Sequence, residues 1–111
     1  MMLPGAFCGA WSFINFRGHF EAADLDVLTP ELRYYDQAPG QPAGVRLVRT
    51  GLADFVAYLS SSIKALGQPP ILLGHSMGGL LAQLLAAKGL AEAVILLAPV
   101  PPWGLLPSSE N

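Results

Sequence analysis

The sequence is poor in charge, in cysteine and in histidine, and each shortage excludes something. Asp, Glu, Lys and Arg make up only 13% of the 111 residues, about half the share of an ordinary soluble domain. Six basic residues against eight acidic ones leave a net charge of −2, which removes the electrostatic case for nucleic acid or an anionic membrane as partner. The single cysteine, Cys8, excludes an internal disulfide and any cysteine-based metal spacing, and makes a reducing cytoplasm the expected compartment. There is no basic segment leading into an apolar stretch at the start, and the longest apolar run, Ala93 to Pro107, is broken by four prolines. Neither a signal peptide nor a membrane span is expected. No metal or other cofactor is called for.

What remains is apolar. Hydrophobic residues are 52% of the chain, and the length holds one small domain with one core. Glycine and proline, 12 and 10, together fall below the share typical of disordered chains. From Ala65 onward the only charged residues are Lys88, Glu92 and Glu110, so much of that half is expected to be buried.

A helix is predicted over Trp11 to Ala23, where Phe13, Phe16 and Phe20 fall at i, i+3 and i+7 and Arg17 and Glu21 occupy other faces. A short extended piece at Asp26 to Thr29 ends at Pro30, and Tyr34 to Arg49, with four Pro and Gly and no periodicity, reads as a long loop. Leu52, Phe55, Val56, Leu59, Ile63 and Leu66 form a helical stripe over Thr50 to Leu66, capped by Thr50 and stopped by Gly67. Ile71 to Leu73 suits a strand covered on both faces, Gly74 to Gly79 a glycine-rich turn, Leu80 to Lys88 a buried helix, and Val94 to Leu97 a second buried strand. This alternation predicts an α/β fold with a parallel sheet flanked by helices.

The chemistry lies in Ile71-Leu72-Leu73-Gly74-His75-Ser76-Met77-Gly78-Gly79-Leu80. Its core is Gly-x-Ser-x-Gly, set between a predicted strand and a predicted helix, the context of a nucleophile elbow. The serine of an elbow sits on a strained turn, and the residues two positions away must be small for strand and helix to pack closely. Gly74 and Gly78 meet that demand. The alternative is a plain strand-to-helix turn with Ser76 as helix cap; the flanking elements favour the elbow. At the N-terminus Leu3-Pro4-Gly5-Ala6-Phe7-Cys8-Gly9-Ala10-Trp11 combines a small-residue turn with an aromatic helix, a place where a backbone N–H can meet an oxyanion.

Together these segments, with Thr29-Pro30-Glu31-Leu32-Arg33 and Leu97-Ala98-Pro99, resemble the α/β-hydrolase superfamily, in particular its small esterase-like members. The resemblance implies an incomplete α/β-hydrolase fold with about four strands, residues 1–111 forming the N-terminal to central part of one domain. It makes Ser76 the nucleophile, the N–H of Met77 one oxyanion donor and that of Ala6, or alternatively Phe7, the other. Phe7 and His75 are the expected binding residues beside them, and Met77 lines an acyl pocket or packs its helix. Family members usually carry His-Gly where this chain has Pro4-Gly5. Their triad continues with an acid and then a histidine, yet after Ser76 the acids are Glu92, ahead of a strand, and Glu110, and no histidine follows. His75 reads as a packing or hydrogen-bonding neighbour, His19 as solvated, and Cys8 as a small apolar residue.

The expected function is therefore that of a serine hydrolase acting on a small ester or thioester, present as a fragment without its acid and base and inactive alone. A non-catalytic binding domain on the same scaffold is the alternative, as is an acyltransferase of the malonyl-transfer type, which uses Gly-His-Ser-x-Gly on another fold. Exposed apolar surface is expected to drive self-association.

Overall fold

The computed structural model describes residues 1–5, 8–30 and 51–101. In chain order these form strand β1 (Met2–Leu3), a 3₁₀ turn (Ala10–Phe13), helix α1 (Ile14–Ala22), helix α2 (Leu52–Ala65), strand β2 (Ile71–His75), helix α3 (Met77–Ala87) and strand β3 (Ala93–Leu97). The strands make a parallel sheet in the order β1-β2-β3, with Met2 opposite Leu73 and Leu73 opposite Ile95.

Alternation along β2 sends neighbouring residues to opposite faces. Leu72 joins Leu3 and packs with Phe55, Val56, Leu59 and Ile63 of α2 and Leu81, Ala82 and Leu85 of α3 in the main core. Leu73 faces the other way, where Met2 and Phe13 complete a cluster of three buried residues flanked by Phe20, Val27 and Leu97. Among the described residues one face thus carries two helices and the other α1 alone.

Helix α2 buries Phe55, Val56, Leu59 and Ile63 of the predicted stripe, whereas Leu52 and Leu66 at its two ends are exposed. Its N-terminus is capped at Gly51, whose N–H donates to the Asp54 carboxylate at 3.1 Å; Thr50, the expected cap, lies outside the described residues. Gly67 and Gly89 end α2 and α3 with φ of 79° and 75°, left-handed values that glycine adopts without a Cβ clash.

Four expectations change. The aromatic helix begins as a 3₁₀ turn, and although Phe13 is buried, Phe16 remains 43% exposed. Helix α3 starts at Met77, not Leu80, because Gly78 and Gly79 belong to its first turn. Asp26 to Thr29 runs beside β1, with Met2 N–H donating to the Leu28 carbonyl at 2.9 Å, but forms no strand, so the described sheet has three strands where about four were expected. A two-residue β1 bounded by Pro4 offers too few edge groups for a ladder, and Pro30 brings no N–H of its own. Finally, β3 is not buried: Ile95, on the face that α1 covers only in part, and Leu96, on the opposite face, are both exposed, and β3 pairs on one side only among the described residues. The long loop expected over 34–49 lies outside the described residues. None of the described helices is long and apolar enough to cross a membrane.

Candidate active site

Three close backbone approaches build the turn at the carboxyl end of β2. A Cβ on Gly74 would fall on the Gly78 carbonyl, and one on Gly78 would fall on the Leu3 carbonyl. A Cβ on Gly79 would lie 2.6 Å from Pro99 Cβ. Any larger residue at these positions separates α3 from β2, from β1 or from the segment after β3. Ser76 stands between strand and helix with φ 54° and ψ −117°, a conformation costing a non-glycine residue about 1–3 kcal/mol, which persists only where the surroundings enforce it.

The surroundings do so through the Ser76 peptide. Its N–H donates to the Leu97 carbonyl at 3.1 Å, and its carbonyl accepts from the N–H groups of Gly79, Leu80 and Val100 at 3.0, 3.3 and 2.9 Å. The Gln83 side-chain amide donates to the Gly79 carbonyl at 3.2 Å and the Val100 carbonyl at 3.4 Å, tying α3 to the chain beyond β3. Ala98 takes a positive φ of 43° so that this chain can turn back. Neither Gln83 nor Val100 belongs to a motif that the sequence displays. The closest signal was Gly79, one glycine more than an elbow's spacing requires.

Gly5 lies against this turn: a Cβ there would sit 3.3 Å from Ser76 Cβ and 3.4 Å from His75 Nδ1. The N-terminal turn and the serine therefore meet at one end of the sheet, with Pro4 and Gly5 both buried. Ala6 and Phe7 lie outside the described residues. Met77, half-buried, opens α3, so the positive end of the helix dipole lies beneath the serine. His75 is exposed at the end of β2, and His19 is exposed on α1. Cys8 is a half-buried free thiol whose N–H donates to the Gly5 carbonyl at 3.2 Å.

The two downstream acids do not join the site. Glu92 N–H donates to the Pro70 carbonyl just ahead of β3, at the amino end of the sheet and opposite Ser76; Glu110 lies outside the described residues. No group of His, Cys, Asp and Glu among the described residues is arranged to hold a metal ion.

A parallel sheet with a serine raised on a strained strand-to-helix turn, its flanking glycines in backbone contact, has the architecture of an incomplete α/β-hydrolase fold. A profile of the Alpha/beta hydrolase family matches residues 1–110, and the chain belongs to that family. No curated protein matches it.

Proposed function

We propose that this chain holds the nucleophile of a serine hydrolase that acts on a small ester or thioester. The observation that carries the reading is the backbone of Ser76, φ 54° and ψ −117°, maintained against its own strain at the end of the sheet where Gly5 meets it. In this reading residues 1–111 are one partial hydrolase domain and work in the cytoplasm. The Ser76 hydroxyl attacks the acyl carbon, and the oxyanion receives the N–H of Met77 and that of Ala6 or Phe7. Phe7 and His75 border the substrate. Such donors act where charge develops in the transition state, each worth about 10² to 10³ in rate.

A serine hydroxyl also needs an oriented base. His19 is exposed on α1, His75 is exposed at the strand end with its Nδ1 beside Gly5 and no hydrogen bond to the Ser76 hydroxyl among the described residues, and no histidine follows Ser76. The 111 residues alone are therefore proposed to be inactive, or to keep at most the roughly 10³ to 10⁴ advantage over water that a hydrolase retains without its triad. The same absence supports a second reading, a binding domain on the hydrolase scaffold. A malonyl-type acyltransferase is the weaker option, because Gly79 against Pro99 fits the hydrolase elbow.

The test is labelling by a fluorophosphonate, with p-nitrophenyl acetate turnover beside it. The chain alone should show little of either. Supplied in cis with a segment carrying the family's acid and histidine, it should gain both and lose both on Ser76→Ala. Turnover by the chain alone, abolished by Ser76→Ala, would reject the inactivity. Label at any other residue of the completed protein would reject Ser76 as nucleophile.

A further inference from the structure

On the α1 side of the sheet, cover stops short. Met2 and Leu73 are buried there, but Ile71 and Ile95, on the same face, are 49% and 46% exposed. This bare strip is the floor of a groove of about 1040 Å³, with Leu25, Leu28 and Leu66 among its walls. All five residues are large, apolar and exposed, a concentration that marks interaction sites on soluble proteins. Around them stand Glu21, Asp24, Asp26 and Glu92, and among the described residues no Lys or Arg side chain lines the groove. Among the described residues its one cation is the Met1 ammonium, which donates to the Ile71 carbonyl at 2.8 Å. Arg17 holds Glu21 at 2.8 Å, whereas Asp24, Asp26 and Glu92 form no ion pair among the described residues.

We propose that this groove docks a basic amphipathic helix of a partner protein, its apolar stripe on Ile71 and Ile95 and its Lys or Arg residues against Asp24, Asp26 and Glu92. Charge selects the occupant. A second copy laid face to face would set acid against acid, and an anionic lipid surface or nucleic acid would be repelled by the same rim. Size agrees: about 1040 Å³ suits roughly two turns of a helix 10–12 Å across. Pro70, Ile71 and Glu92 put the groove at the amino end of the strands, away from Ser76, so docking leaves the serine accessible.

The probe is a fluorescein-labelled 14-residue peptide of Leu and Lys patterned as an amphipathic helix, titrated with the 111-residue chain by fluorescence anisotropy. Saturable binding that weakens in 0.5 M salt is expected, with Ser76→Ala binding like the parent chain. Asp26→Lys with Glu92→Lys should weaken binding at least tenfold, and Ile95→Ser at least fivefold, with far-UV circular dichroism unchanged. If the reversed pair does not fold, Asp26→Asn with Glu92→Gln should weaken binding about threefold. Equal binding by the charge variants, or by a peptide with Glu in place of Lys, would overturn the proposal. So would sedimentation showing a dimer that Ile95→Ser dissociates, which would assign the groove to a second copy.

Discussion

Leu72 and Leu73 are adjacent on one strand, are both buried, and belong to unlike regions. The face that receives Leu72 is closed by two helices over nine buried residues; the face that receives Leu73 holds three, under a helix that buries none of its own side chains. The difference lies in how each helix reaches the sheet. Helix α3 follows β2 directly and is drawn onto it by glycines, so backbone meets backbone. Helix α1 stands on Phe13 and Phe20, and among the described residues nothing covers the sheet beyond them on that side. A parallel sheet is stable when both faces are covered, and here the coverage is lopsided.

The sharpest way to break this comparison is Gly78→Ala. The added Cβ meets the Leu3 carbonyl, which is main chain and cannot rotate away, so a loss of about 3 kcal/mol or more is expected in urea unfolding. A loss below about 1 kcal/mol would mean that the two-helix face is not closely packed. Next come the paired leucines: Leu72→Ala should cost about 3–4 kcal/mol and Leu73→Ala about 2, both within the range for Leu truncation, the second smaller because its site can collapse toward the open groove. Equal costs would erase the contrast between faces. Ser76→Gly should raise stability by up to about 1 kcal/mol through release of the φ 54° strain. A lower unfolding midpoint would show that the turn is unstrained. Least affected should be Arg17→Ala: its pair with Glu21 is half-exposed on both sides and is worth no more than about 0.5 kcal/mol.

The same contrast decides what could be read from sequence. Helix α2 was legible because its stripe is uninterrupted and its burial depends on side chains alone. The elbow was legible because Gly74, Ser76 and Gly78 occur between an apolar strand and a Leu/Ala helix, a context that few other structures share. Gly78 and Gly79 also hid the start of α3, since glycine in a sequence signals a turn as readily as a close approach. The exposure of β3 was illegible for another reason: Val94 to Leu97 are apolar enough for a central strand, and only the assembled sheet shows how far the helices on its two faces extend. Hydrogen bonds from Val100 to Ser76 and from Gln83 to Val100 join segments with no local pattern between them, so periodicity carries no trace of them.

The pairing of β1 with β2 has a consequence for how the chain is made. The Met1 ammonium bonds to a carbonyl 70 residues later, while β2, α3 and β3 are consecutive. At about 5–20 residues per second, a ribosome that has released Met1-Met2-Leu3 needs roughly 4 to 14 seconds to synthesise the strand that pairs with them. For that time three apolar residues and the phenylalanines behind them lack β2, the strand that they later pair with or pack against. The helix they lead into is made before β2, α3 and β3 and docks after them, and until then this part of the nascent chain, which later lies against its serine, is open to chaperones or to neighbouring chains.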